Sequence, residues 1–436
     1  MKMPGAAARR RPAAAGDHRF HFESAIAMNP KRFLIAAVLI APAVAAAAPV
    51  ATVLPGLPPQ VQPALAGALP SGAAEATLAT ARYGHATAVL PGGRVLVAGG
   101  NDGSQILRNA EIYDPASGAF TATGQMLYRR MYDAAGTVAL ADGRVLVSGG
   151  CVDLGGSSGG FQVCQGVPHS EIYDPATGQF AATGPLAGPR NLHIATRLAD
   201  GRVLVATGSD SDPDGPQWTL DGEIYDPATG QFTTTGSAAI GRAYATAALL
   251  ADGRVLIAGG QTDGGTALTH AELYDPATGQ FSVTGAMTAA RIGPTATRLP
   301  DGRVLIVGGT NENVAQIEHA EVYDPATGQF TALAAQPLFS RYYHSAITLP
   351  DGRIVFAGGN RNYVPIAPVE LYDPALGTFE VIAELDRAVV FHTAALTAGG
   401  DVLIAGGLDA GVVVRSEAQR IAVGRADAVF ADGFEP

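Results

Sequence analysis

The residues of this chain able to do chemistry are few, and the densest group is acidic. Residues 210–221 read Asp210-Ser211-Asp212-Pro213-Asp214-Gly215-Pro216-Gln217-Trp218-Thr219-Leu220-Asp221. Ca²⁺ takes roughly six to eight hard oxygens, and alternating carboxylates converge on one ion where a glycine permits a sharp turn. Asp210, Asp212, Asp214, Gly215 and Asp221 fit that calcium-loop spacing, with the Pro216 carbonyl as a further oxygen. Pro213 inside the run, Asp rather than Glu at its end and the lack of flanking helical patterns depart from it. Two readings stay open: a calcium loop and a solvated acidic loop. Trp218, the only tryptophan, lies in the same run, either as a surface anchor for a sugar ring or protein or as packing for the loop. The only two cysteines, Cys151 and Cys164, share one glycine-rich insertion. In an oxidising compartment they are expected to form a disulfide, a closure contributing about 3 kcal/mol in the chain-entropy model; two free thiols are the alternative. No nucleophile elbow, phosphate loop or zinc spacing is present.

A repeat must position these residues. The run Arg94 to Gly100 recurs with small changes at 144–150, 254–260, 303–309 and 353–359. A weaker copy ends in Thr207-Gly208, and a seventh runs from Asp401 to Gly407. The period is near 50 residues. Each unit reads as four short strands. The first follows an arginine (82, 130, 190, 242, 291, 341 or 387) and in five units ends at an Asp-Gly pair, which tolerates the positive φ of a two-residue hairpin. The second is a Val/Leu/Ile run ending in glycine. The third carries a tyrosine before Asp-Pro, and the fourth a phenylalanine some seven residues later. Together these features resemble the kelch repeat over residues 82 to about 425. The resemblance implies an all-β fold, a seven-bladed kelch-type β-propeller with four antiparallel strands per blade, like the central domain of galactose oxidase. Two departures stand out: phenylalanine where kelch units often have tryptophan, and a seventh unit reading Ser416-Glu417-Ala418-Gln419 without Tyr-Asp-Pro. Residues 73–81 are therefore expected to complete the last blade; a six-bladed ring with a stray unit is the alternative.

The repeat places one residue per blade, three after each arginine, around a channel mouth: His85, Asp133, His193, Ala245, Pro294 and His344, with His392 nearby in the seventh unit. Imidazoles around one axis suit a transition metal, although histidines at this place in kelch repeats usually pack or hydrogen-bond locally. The segment Ser340 to Arg353 resembles the copper radical oxidases, the galactose and glyoxal oxidase group, in which an adjacent Tyr-His pair ligates copper. That maps onto Tyr343 and His344. The other histidine ligand and the cysteine-crosslinked tyrosine of that family have no counterpart here. A resemblance to the bacterial sialic acid epimerase group rests on fold and compartment alone. The repeated arginines and the strand-three glutamates occur seven times each, and predict buried Arg–Glu pairs, because either charge buried alone is costly.

Among 436 residues the net charge is −11, and beyond residue 48 there are 21 Arg against 37 Asp and Glu. That acidic body argues against nucleic acid as partner. Lys31-Arg32, the apolar run Phe33–Ile40 and the small-residue stretch Ala43–Ala48 match a secretory signal, with Met28 the expected start. The expected organisation is a leader at 1–48, an Ala/Pro-rich linker at 49–72, the propeller at 73–426 and an acidic-aromatic tail at 427–436. The expected function is a secreted, periplasmic or extracellular, non-enzymatic binding or scaffold module. It would be monomeric, would not enter the membrane after signal removal, and would meet a protein or carbohydrate ligand through the loops between strands two and three. Calcium is the one cofactor the sequence suggests. The alternative is a metal-dependent enzyme of the copper radical oxidase type, or an epimerase-like one.

Overall fold

A computed structural model describes residues 71–72, 74–131, 136–158, 161–212 and 215–423. Seven four-stranded antiparallel sheets follow one another around a ring. In blade 1 the order from the axis outward is Ala86–Val89, Val95–Ala98, Ala110–Asp114 and Ala119–Ala122. Blades 2 to 6 repeat it. In blade 7 the inner strands are Thr393–Leu396, Val402–Ala405 and Glu417–Ile421, and the outer strand is Ala74–Thr77. The N-terminal strand thus completes the last blade, as the deficient seventh unit predicts. Just before it, Ser71–Gly72 pairs in parallel with Glu384 and Leu385 at the end of blade 6's outermost strand.

Why the second strand of every blade is an unbroken apolar run follows from its place. All four residues of Val95–Ala98, Val203–Ala206 and Ile354–Ala357 are buried, because a blade is covered on both faces by its neighbours. Each interface is built alike. Leu96, Ala98 and Ile112 of blade 1 receive Val145, Val147, Tyr173 and Phe180 of blade 2. The closing interface sets Leu403, Ala405 and Ala418 of blade 7 against Val95, Val97 and Tyr113 of blade 1. Within a blade the tyrosine stands opposite its phenylalanine across strands three and four, as in Tyr173 and Phe180, 4.8 Å between ring centroids. Phenylalanine fills the site at which tryptophan is common in kelch repeats.

Six buried ion pairs tie the inner loops to the third strands: Arg82–Glu111, Arg130–Glu171, Arg190–Glu223, Arg242–Glu272, Arg291–Glu321 and Arg341–Glu370. Each glutamate also accepts a backbone N–H of the segment crossing into its blade, as Glu111 does from Ala79 at 2.7 Å. Each guanidinium also donates to backbone carbonyls; Arg82 donates to Gly99 and Asn109. The seventh pair expected from sequence is absent. Arg387 is exposed, and Val389 occupies the arginine position, its carbonyl accepting from Gly359 as that of Arg341 accepts from Gly309. Glu417 is not the partner residue either. Gln419, facing Ile404 as Glu111 faces Val97, takes that place and accepts the N–H of Asp386 at 2.6 Å. Both charges have gone together. A lone buried glutamate would cost several kcal/mol, about 3–5 when one partner of a buried pair is removed, whereas an uncharged pair leaves nothing uncompensated.

Candidate functional site: the loop face and the channel mouth

Chain direction sorts the connections onto two faces. The Asp-Gly turns and the Asp-Pro turns all lie on one; the strand 2–3 loops and the blade-to-blade crossings lie on the other, around the channel mouth. Antiparallel bridges such as Tyr83–Asn101, Asn191–Ser209 and Tyr342–Asn360 bind each strand 2–3 loop to the segment that enters its blade.

At the mouth, three residues in sequence do different work. The arginine is buried. Three residues on, a histidine turns its ring toward the preceding blade. His85 Nε2 is hydrogen-bonded to Thr393 Oγ1 at 2.8 Å, His392 Nε2 to Ser345 Oγ at 2.9 Å, and His344 Nε2 to Thr295 Oγ1 at 3.0 Å. His193 Nε2 lies 3.5 Å from Ser148 Oγ. The glycine pair makes room for this. A Cβ on Gly308 would stand 2.9 Å from the His344 ring, and one on Gly359 would stand 2.7 Å from the Cβ of the same histidine. Burial, reinforced by the nearby arginines, holds these imidazoles neutral. His193 is pushed down to about 3 and His392 to about 4, while His85 and His344 fall well below the ordinary histidine value. These histidines are wedges between blades. Asp133, the blade 2 member of the expected ring, lies outside the described residues.

The residue between arginine and histidine was missed by sequence reasoning in every blade but the sixth. Two positions after Arg82, Arg190, Arg242, Arg291, Arg341 and the arginine substitute Val389 stand Gly84, Leu192, Tyr244, Gly293, Tyr343 and Phe391, and all six have φ between 53° and 64°. Glycine adopts this left-handed backbone freely, and bulky side chains do so at a cost of order 1 kcal/mol. Leu192, Tyr244, Tyr343 and Phe391 are half-buried and ring the mouth. Tyr343 lies between the other two rings, its centroid 5.3 Å from that of Tyr244 and 5.2 Å from that of Phe391. Gly293 permits this, since a Cβ there would come within 2.5 Å of the Tyr343 ring. The Tyr244 hydroxyl is pushed up to about 12 by burial and stays protonated. The cavity beneath is about 400 Å³, and among the described residues that line it none is Asp, Glu, Lys or Arg. The signal was present in the sequence as a column of the repeat, bulky where glycine is the relaxed choice.

Tyr343 and His344 therefore diverge, the phenol ring into the aromatic arc and the imidazole between blades 5 and 6. Among the described residues, no three His, Cys, Asp or Glu side chains gather around one point.

Two longer excursions rise beside each other from blades 2 and 3 on this face: the hairpin Cys151–Ser158 with Phe161–Gly166, and the hairpin Ser209–Asp212 with Gly215–Trp218. Cys151 faces Gly166, and Cys164 faces Asp153, so both cysteines lie near the base of one hairpin. The acidic run is not a loop wrapped around a centre but a ladder in which Ser209 faces Trp218 and Asp212 faces Gly215. Asp210 and Asp212 belong to the first strand of that hairpin. Asp221 is separated from them: it begins blade 3's third strand past the hairpin's base, exposed, and accepts from Ser237 Oγ at 2.6 Å. Asp214 and the side chain of Asp212 lie outside the described residues. Trp218 is half-buried, its Cβ against Gly241.

The sequence profile described as "Kelch motif" matches residues 82–127, a segment containing the whole of blade 1, and blade 1's pattern recurs around the ring. The chain is a kelch-repeat β-propeller. No curated protein sequence matches it. Solved structures match this kelch propeller in number, 954 chains in all, so likeness of shape by itself selects no activity. One of them is described as a "novel fungal alcohol oxidase with catalytic diversity among the AA5 family, in complex with copper". It is 19% identical, with a TM-score of 0.62, covering 81% of this chain and 77% of that one. At that identity the likeness is one of fold.

Proposed function

We propose that this kelch propeller is an exported, non-enzymatic recognition module whose loop face meets a carbohydrate or protein ligand. The observation that carries the reading is the contrast between the faces: the repeated turns bond to themselves, while the loop face gathers every variable excursion and a mouth lined by strained, half-exposed rings. Rigid repeats presenting variable loops suit recognition. A Cys151–Cys164 disulfide belongs to the same proposal; it is supported by the absence of free cysteines among the described residues and by the shared hairpin. The test is binding of the labelled protein to an immobilised panel of neutral and acidic glycans. A variant whose residues 152–165 are replaced by a short turn, and one bearing turn-face substitutions, serve as comparisons. Retention on defined glycans, lost only in the loop-face variant, supports the reading; retention unaffected by either defeats it.

Copper oxidase chemistry is the second reading, favoured by the adjacent Tyr343 and His344. The residues do not fit it well. His344 Nε2 is engaged with Thr295 across a blade interface, its ring is packed over Gly308, and Tyr343 turns into the aromatic arc. One copper per chain with peroxide released from a primary alcohol would replace the recognition reading with this one.

A further inference from the structure

From the aromatic arc and the floor beneath it, we infer that the channel mouth is a subsite for one uncharged pyranose ring. This rests on the recognition reading and narrows it to a ligand class and a place. The wall is Tyr244, Tyr343 and Phe391, held at positions where Gly84 and Gly293 show that no side chain is needed for the backbone. Backbone strain kept at one repeat column across four blades points to use of the side chains rather than to folding. Below the wall the polar lining groups, set among Ala245, Pro294, Ala346 and Ile347, are hydroxyls and neutral imidazoles: Thr87 donates to Thr393 Oγ1 at 2.7 Å, His85 bonds that same oxygen, and Ser345 bonds His392. Hydroxyls donate or accept as required. Such a floor meets a sugar's hydroxyls, and ring faces above meet its apolar C–H face. Among the described lining residues a charged ligand would find no counter-ion, and burying it unpaired is costly. The cavity of about 400 Å³ is of the size that holds a small organic ligand.

The experiment is saturation-transfer NMR and calorimetry with methyl α-glucopyranoside, methyl α-mannopyranoside and methyl β-galactopyranoside. The corresponding uronate and p-cresol are run beside them, on the full mature chain. The expected result is millimolar or tighter binding of at least one neutral pyranoside, weakened about tenfold in Tyr343→Ala and less than threefold in Tyr343→Phe, which keeps the ring. Phe391→Leu, folded by circular dichroism, repeats the loss if Tyr343→Ala fails to fold. Tighter binding of p-cresol than of every pyranoside, or of the uronate than of its neutral parent, overturns the inference. So does glycan-panel binding that survives Tyr343→Ala but vanishes with the 152–165 hairpin, an outcome that leaves the recognition reading standing. Binding to neither the glycoside set nor the panel overturns both.

Discussion

The two faces of the ring are made by the same repeat and obey different rules. On the turn face each unit satisfies itself. In five blades the aspartate of Asp-Gly accepts from the arginine two residues on, as Asp252 does from Arg254, and in six the aspartate of Asp-Pro accepts the N–H two residues later, as Asp226 does from Ala228. Little there is left over for a partner. On the loop face the repeated element is pushed inward, where the arginine, glutamate and histidine are buried, and what remains outside differs from blade to blade. A repeat can thus hold its architecture with one set of positions and free a neighbouring column for recognition. Tyr343 sits between buried Arg341 and buried His344, with each residue facing a different environment.

Four perturbations break or sharpen this contrast. The largest effect falls on the buried pairs. Glu272→Ala leaves Arg242 charged and unpaired and is expected to cost about 3–5 kcal/mol in chemical denaturation. The double change Arg242→Val with Glu272→Gln, which copies what blade 7 already has in Val389 and Gln419, is expected to cost less than half as much. If the double change is the worse of the two, the charge-compensation account fails.

Acid comes next, again through the loop-face interior. Because the folded-state values of the wedge histidines lie below the ordinary one, the unfolded chain takes up protons first as pH falls. Stability is therefore level above pH 6.5 and declines from there toward about 4, where His392 itself protonates. Melting temperature followed across that range checks it, and His392→Gln should flatten part of the slope. A flat profile down to pH 4 would show that the imidazoles are not the neutral wedges described.

A smaller effect separates ligand from fold at the mouth. Tyr343→Gly relieves left-handed strain yet removes ring contacts, so stability should move by no more than about 1 kcal/mol while carbohydrate retention drops severalfold. The smallest belongs to the turn face. Asp252→Ala removes a surface ion pair whose partners are roughly 40% exposed and should change stability by less than about 0.5 kcal/mol, with binding unaltered.

Most of the fold was legible in the sequence because its signals repeat. The Val/Leu/Ile run, the glycine pair and the Tyr-to-Phe spacing each recur, and the missing Tyr-Asp-Pro of the seventh unit itself pointed to closure by residues near 74–77. The errors arose where repetition lapsed. Arg387 was read as the seventh arginine because it is the nearest one, whereas Val389 holds the place and Gln419 answers it. The acidic run reads by its spacing as a calcium loop or a solvated acidic loop; in the structure Asp210 and Asp212 lie on a hairpin strand and Asp221 begins a blade strand past the hairpin's base. Tyr244 and Phe391 went unnoticed for a different reason. Their importance lies in a backbone angle shared with Gly84 and Gly293, and no single-copy motif displays a shared angle.

The outer strand of blade 7 has a consequence for how the molecule comes into being. Ala74–Thr77 are synthesised before any blade, yet their partners, Glu417–Gln419, are among the last described residues to leave the ribosome. For the whole interval this strand has no sheet to join, and six blades must stack as an open arc with a bare edge at each end. Ring closure is thus the pairing of greatest sequence separation among the blades, and on that ground is expected to form last. A nascent chain halted before residue 417 would expose the apolar flank of blade 1, Val95, Val97 and Tyr113, to any passing chaperone.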